Sequence, residues 1–391
     1  MYLKNYLLSV VIPTKNRSTY LKKCIYQVFN ATNDEVEIII QDNSDKPSLN
    51  NEILNSYDKR IKYFYTNDNL SFVENFELAV KKATGEYVIL IGDDDGILPN
   101  IIDLVFWAKE NNCDAITSKI LVTYYWPHSG AKNYKCTEDK GYIRINNIKN
   151  NIYLIDHYKN FIKVIKNACQ FYHSSQIPKI YHGIVKKELV EKIIQKNGKL
   201  FSGLSPDIYS SFMISMYAKK VGYSEIPYSI DGNCSKSGAG AQAQGKHEGE
   251  LKDAPHFNGN TEYQWNKKVP YIYSIQTIWA ESALTALEDN KRDDLSKLFN
   301  TEKLTAYIIL NNPKIRYQTF HLYKELTNRS NLSSFICIFV SALYGPFTNY
   351  IIRILKRILG RGQVGYIINN VEDITQASKK ITDYINKQGV K

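Results

Sequence analysis

The 391-residue chain has six cysteines, at positions 24, 113, 136, 169, 234 and 337, and no two of them make a Cys-x-x-Cys pair. No histidine stands at zinc-finger spacing from them, so neither a disulfide framework nor a structural zinc site is supported. A reducing cytosol is the simpler home. Nothing approaches the run of about 20 apolar residues that crosses a bilayer; the nearest stretch, 335–347, contains Gly345 and Pro346. The largely apolar run at 7–12 is too short for a secretory leader and lacks a small-residue cleavage site. Internal repeats and low-complexity tracts are also missing.

What is present is an ample core: 43% hydrophobic and 13% aromatic residues, with 30 tyrosines. That composition excludes a disordered chain, and the length suggests two or three domains of about 150 residues each. The charge balance is basic, 50 Lys+Arg against 39 Asp+Glu, a net +11. Such an excess suits nucleic acid or an anionic membrane, or reflects a Lys-, Asn-, Ile- and Tyr-rich composition. No helix-turn-helix, RNP-like or zinc signature is present, so nucleic acid is not an expected partner.

The first 120 residues alternate strand-like and helical patterns. Residues 7–12, 36–40, 61–65 and 87–91 read as strands. Residues 18–29 read as a helix with Leu21, Cys24, Ile25 and Val28 inward. Ser71 and Glu74 make a capping box for a second helix that turns Phe72, Phe76, Ala79, Val80 and Ala83 inward and stops at Gly85. Pro99 fits the first turn of a third. This alternation predicts an α/β fold, a mostly parallel Rossmann-like sheet with flanking helices. Further on, 180–185 reads as a strand, 186–196 as a helix, and Ser205-Pro206-Asp207 as a helix start running to about 220. The Gly-rich stretch 231–249 reads as a flexible loop and candidate boundary. Two units follow: a nucleotide-binding domain over 1–250 and a mainly helical region over 251–391.

Parallel sheets place ligands at the carboxyl ends of their strands, and there the polar residues gather. Strand one ends in Pro13-Thr14-Lys15-Asn16-Arg17, strand two in Gln41-Asp42-Asn43-Ser44-Asp45, and the fourth in Gly92-Asp93-Asp94-Asp95-Gly96. Three consecutive carboxylates repel one another unless a cation offsets them. Hard divalent ions take such oxygen ligands and bridge them to a diphosphate. An Asp-rich turn leading into the next helix is the plainer alternative.

With 7–17 (LLSVVIPTKNR), 36–45 (VEIIIQDNSD), 69–99 (NLSFVENFELAVKKATGEYVILIGDDDGILP) and, more loosely, 203–211 (GLSPDIYSS), the chain resembles the family 2 glycosyltransferases. These are inverting enzymes with the GT-A nucleotide-sugar-binding fold. The resemblance covers 7–110 well and 180–220 loosely, and does not reach the tail after 260. It implies that Pro13, Thr14 and Arg17 line the nucleotide pocket and that Asp42 accepts from the base, a uracil. It further implies that Asp93 and Asp94 contact the donor, and that Asp95, with Asp93, holds Mn²⁺ or Mg²⁺ on the diphosphate. Gly92 stands where the family's first Asp often lies, which leaves the register within the triplet open by one.

The resemblance makes Asp207 the base that takes the acceptor proton, although the family's Glu-Asp pair is absent. Ordinary helix-start chemistry is the competing account: Ser205 as N-cap, Pro206 in the first turn, and Asp207 held charged by the helix amino terminus. His247 and Lys246, near the end of the Gly-rich stretch, are candidates for a further metal ligand and a phosphate contact on a mobile lid; a solvated linker is the alternative. His182 reads as a packed pocket-wall histidine.

The tail carries Arg353, Lys356, Arg357 and Arg361 among isoleucines and leucines, with no acid between 349 and 362. That is the pattern of a basic amphipathic helix lying in a membrane interface. Packing on the catalytic domain is the alternative. The resulting expectation is a metal-dependent inverting glycosyltransferase, using a nucleotide-sugar donor and a lipid-linked glycan acceptor, in bacterial capsule, O-antigen or wall-polymer assembly. It would be cytoplasmic and peripheral on the inner membrane face through about 335–362; a homo-oligomer is compatible with this. A non-catalytic glycan- or nucleotide-binding protein is the alternative. A sugar-1-phosphate nucleotidyltransferase would need a Gly-rich loop after strand one, and PTKNR is not one.

Overall fold

The computed structural model describes residues 6–50, 58–131, 139–236, 248–249, 251, 263–358 and 365–389. β1 (Leu8–Thr14) and β2 (Val36–Asp42) are buried along their whole length. A sheet covered on both faces demands such near-continuous apolar runs. With β3 (Ile61–Tyr65) and β4 (Tyr87–Leu90) they form the parallel half of an eight-stranded sheet. Leu8, Val10 and Ile12 pack into one core and Val11 into another, the period-two alternation of a strand between two layers.

β6 (Ala115–Thr117), β9 (Ile152–Ile155), β10 (Ile184–Lys186) and β11 (Val221–Ser224) complete the order β3-β2-β1-β4-β10-β6-β11-β9. β10 is antiparallel to β4 and β6, and β9 to β11, so six strands share one direction. The α/β, mostly parallel GT-A-like architecture is present.

Flanking helices are α1 (Ser18–Ala31), α2 (Phe72–Lys81), α3 (Ile101–Glu110), α4 (His157–Lys166), α5 (Lys187–Asn197) and α6 (Pro206–Tyr217). The Ser71–Glu74 capping box is made in full. Phe72 departs from the inward stripe: it is 61% exposed, with its ring against that of Phe76. Gly85 is no helix stop, since α2 is capped at Lys82. A Cβ there would stand 2.7 Å from the Leu8 carbonyl carbon and the Ser9 nitrogen, so close backbone approach to β1 requires glycine. Pro99 lies just before α3, whose N-cap is Asn100.

A second sheet contains β5 (Gly96–Ile97), β7 (Val122–Tyr125), β8 (Gly141–Ile145), β12 (Ser229–Asn233) and β13 (Tyr366–Val371), ordered β13-β8-β7-β12-β5. The expected flexible loop therefore begins as a strand. Residues 237–247 of it, with His247 and Lys246, lie outside the described residues, and Glu248 and Gly249 beyond them pair with Tyr273 and Ser274.

After 263 the chain is mainly helical: α7 (Ile275–Asp289), α8 (Thr301–Asn311), α9 (Arg316–Thr327), α10 (Asn331–Leu343) and α11 (Pro346–Ile358). It then returns to the amino-terminal half. β13 joins β8, and α12 (Ile374–Lys387) packs on α1 through Lys23–Asp373 at 2.8 Å and Gln27–Ser378 at 3.0 Å. Among the described residues no single helix is long and apolar enough to cross a membrane. α10 and 346–352 pass that test together, bent by 56°.

Candidate active site

β1 and β4 end side by side, and their terminal residues build one corner of the site. Thr14 closes β1 and donates its hydroxyl to Asp93 Oδ2 at 2.5 Å. Arg17 donates Nε to the same oxygen at 3.1 Å and pairs with Asp93 Oδ1 at 2.6 Å and Asp94 Oδ1 at 3.5 Å. Burial pushes the Asp93 carboxyl up to about 7 even though Arg17 pulls it down. Burial also works against the Arg17 charge, but Asp94 and Asp93 hold its guanidinium firmly protonated. Pro13 is buried in β1 opposite Gln41.

Asp95 faces the opposite way. Its Oδ2 accepts from Gly92 N–H at 2.6 Å and the Tyr181 hydroxyl at 2.8 Å, and lies 3.1 Å from His182 Nε2. Its Oδ1 accepts from Gly232 N–H at 2.7 Å. Burial opposes its charge, yet His182 and these backbone donors hold the carboxyl below its ordinary range. Residues 180–182 run along the end of β4, Leu90 bridging Tyr181, and this delivers His182 with φ 53. Its Nδ1 meets Ser229 Oγ at 3.0 Å.

Ligand atoms of Asp95, His182 and Asp231 all lie within 4.8 Å of one another. Two carboxylates and an imidazole make a donor set that suits a divalent cation. The surplus of acid over base here favours one: burial, with Asp95 and Asp94 close by, pushes Asp231 up to about 6 despite His182.

The Asp42 carboxylate is occupied from within: Ser44 N–H and Oγ on one oxygen, Ser48 N–H and the Tyr63 hydroxyl on the other, at 2.5–2.9 Å. A base contact would displace one of these donors. Asp207 stands in the first turn of α6, but Ser205 gives no side-chain cap; Leu204 and Ser205 instead donate their N–H groups to Ser282 Oγ on α7. Asp207 Oδ1 is shielded from solvent and has no hydrogen-bond partner among the described residues. Burial pushes this carboxyl up to about 6, against the pull of His182 and Lys179, so desolvation outweighs the helix amino terminus that was expected to hold it low.

Lys179, 4% exposed, stands among these acids without an ion-pair partner among the described residues. Burial lowers its ammonium to about 8, with Asp231 and Asp207 opposing. A cavity of about 10 Å³, the size of one water, opens between Lys179, His182, Ser229 and Asp231.

Residues 9–165 match the model of glycosyl transferase family 2. Over that stretch the chain is similar to the family 2 glycosyltransferases. It is 29% identical over 159 residues to the abequosyltransferase RfbV of Salmonella typhimurium, an alignment covering 38% of this chain and 47% of that protein. It is 35% identical over 95 residues to the GalNAc(5)-diNAcBac-PP-undecaprenol beta-1,3-glucosyltransferase of Campylobacter jejuni, covering 23% and 30%. The chain thus spans less than half the length of these curated relatives. Among solved structures it is similar to S. aureus TarS 1-349 in complex with UDP-GlcNAc, at 16% identity and TM-score 0.48, covering 82% of this chain and 80% of that one.

The structure brings Thr14, Arg17, Asp93 and Asp94 together in one corner and Asp95 in the adjoining one, while Asp42 closes β2 opposite Thr14 with its carboxylate engaged by Ser44, Ser48 and Tyr63. Asp231 and Lys179 went unnoticed in the sequence. Asp231 opens a Gly- and Ser-rich stretch that reads as loop, and a lone lysine carries no signal among so many. A usable sign was Asp231-Gly232: a Cβ on Gly232 would overlap the Asp94 carbonyl oxygen.

Proposed function

We propose that the chain is a metal-dependent inverting glycosyltransferase, moving a sugar from a nucleoside-diphosphate donor, UDP-linked, to a hydroxyl of a glycan acceptor in bacterial surface-polysaccharide assembly. The observation that carries this is Asp207. A shielded carboxylate oxygen without a partner among the described residues, beside a cation-competent Asp95–His182–Asp231 cluster, is placed to accept a proton from a bound hydroxyl.

In this reading Thr14 and Arg17 hold the Asp93–Asp94 corner against which the donor nucleotide lies. The acceptor oxygen forms its bond to the anomeric carbon from the face opposite the leaving group, and its proton passes to Asp207 Oδ1. The anomeric carbon–oxygen bond breaks, and its electron pair departs with the nucleoside diphosphate, giving inversion. Asp95, His182 and Asp231 would hold the dication, the imidazole favouring Mn²⁺ over Mg²⁺. When bound, it offsets the charge that develops on the leaving diphosphate.

A lipid-linked acceptor accords with the undecaprenol in the Campylobacter relative's name and with the exposed apolar ridge of α10 and α11. Phe335, Phe339, Leu343, Phe347, Ile351 and Leu355 are each at least 38% exposed. Four cations and no acid in 349–362 suit an anionic leaflet at the cytoplasmic face.

Replacement Asp207→Asn tests the assignment. Sugar transfer falls by about a hundred- to ten-thousandfold, the range for loss of a general base, while Mn²⁺-dependent UDP binding by calorimetry stays within about twofold. Transfer that survives removes Asp207 from the role. A wild-type chain that binds no UDP overturns the enzyme reading altogether.

A further inference from the structure

Three rings pack against one another near Asp207. Tyr172 and His173 have centroids 3.9 Å apart, and Trp279 on α7 lies 5.4 and 5.1 Å from them, edge-on to each. Trp279 stands three residues before Ser282, on the same helix face. Because Ser282 Oγ receives the Leu204 and Ser205 N–H groups, Trp279 sits beside the first turn of α6, where Asp207 projects. The Asp207 and Asp231 charges reach the Tyr172 hydroxyl, and those of Lys179 and His182 reach the His173 ring. Trp279 is only partly buried, and its indole N–H has no partner among the described residues. The approach to these rings is strained: Ala168, Cys169 and Phe171 have φ of 55°, 60° and 60°. Non-glycine residues held so are strained, and such strain clusters at active sites and ligand clamps.

Two further groups lack partners. Lys179 buries an ammonium with no carboxylate in ion-pair reach among the described residues, and Asp207 Oδ1 lacks a donor. One requires an acceptor and the other a donor, and a hydroxyl is both. A pyranose presents hydroxyls on its rim and C–H groups on its face, and aromatic walls with a few convergent polar groups are how pockets take such ligands.

We infer that Trp279 and His173, with Lys179, form the acceptor subsite: a pyranose ring stacks against Trp279, and one of its hydroxyls spans the Lys179 ammonium and Asp207 Oδ1. The inference deepens, and rests on, the transferase reading of the Asp207 site.

Saturation-transfer NMR tests it, on the full chain with UDP and Mg²⁺ present and the methyl glycosides of glucose, galactose, N-acetylglucosamine and N-acetylgalactosamine as probes. At least one glycoside receives transfer from the wild-type protein. Trp279→Ala lowers that signal by about tenfold, the worth of one aromatic contact. Trp279→Phe keeps most of it, and Lys179→Met reduces it severalfold. The UDP signal reports that each variant is folded. If UDP binds but no glycoside does, or if the glycoside signal survives Trp279→Ala, the subsite is overturned and the rings are plain core. If UDP fails to bind while the glycoside signal still depends on Trp279, the saccharide subsite stands and the transferase reading falls.

Discussion

Gly232→Ala offers a sharp test of how the acidic cluster is held. An ideal Cβ at 232 would overlap the Asp94 carbonyl oxygen, stand 2.5 Å from its carbonyl carbon and lie 3.1 Å from the Asp95 nitrogen. All three atoms are backbone, so no side chain can swing aside and β12 itself must move. That motion withdraws the Gly232 N–H from Asp95 Oδ1, 2.7 Å away, and strains the Cys234 N–H bond to Asp94 Oδ2 at 3.2 Å. Overpacking costs about 1–3 kcal/mol, and a lost hydrogen bond to a charged group about 1.5–3 kcal/mol. Against these, alanine regains about 0.5–1 kcal/mol of strand preference over glycine. The net expectation is a loss of roughly 2–5 kcal/mol. Urea denaturation measures it, with UDP calorimetry in Mn²⁺ reporting on the site. Gly198 is the control: it caps α5 with φ +77, and nothing lies within 4 Å of its absent Cβ. Gly198→Ala should therefore cost only the left-handed penalty of about 1–2 kcal/mol and leave UDP binding intact. If Gly232→Ala is no worse than Gly198→Ala and binds UDP normally, β12 does not hold the acids as argued.

Asp207 should also write itself into the pH profile. With its carboxyl at about 6 and the charged form required, kcat/KM falls as pH drops below 6 and is level above it. The stability effect has the opposite sign. A folded-state value above the ordinary 3.8 means the folded chain binds the extra proton, so stability declines as pH rises from about 4 to about 6. The decline is up to about 3 kcal/mol at about 1.4 kcal/mol per pH unit. Asp207→Asn should remove that decline from urea titrations while abolishing transfer; a variant less stable than wild type at pH 8 contradicts the assignment. For the ridge, Phe335→Ser with Phe339→Ser should reduce co-sedimentation with phosphatidylglycerol vesicles by at least about tenfold, since both rings are more than half exposed. Unchanged sedimentation removes α10 from membrane binding.

The parallel half of the sheet was legible because its signals are local. LLSVVIPT and VEIIIQD cannot be amphipathic helices, and Ser71–Glu74 announces a helix start within four residues. The position of Asp93–Asp95 followed from the strand before it. What escaped depends on neighbours distant in sequence. Asp231 and His182 meet Asp95 only because β12 and the segment after Lys179 are laid against the end of β4. Phe72 obeys the helical period and still faces solvent, because periodicity does not report whether a neighbouring element covers that end of α2. For Asp207 the helix amino terminus was visible and the desolvation was not; burial, a tertiary property, decided the sign.

The return of β13 to β8 changes what the apolar ridge is. Tyr366 pairs with Ile145, more than two hundred residues earlier, a closure across a very long loop. Once it forms, the segment from α7 to α11 is no free tail. It is an arch with one foot in the helices beside Asp207 and the other in the second sheet. Anything that grips the crown of that arch therefore fixes the orientation of the whole catalytic face toward it, as a bracket fixes a lamp to a wall rather than as a cord suspends it. Lengthening the span on one side should tilt the face without loosening the grip.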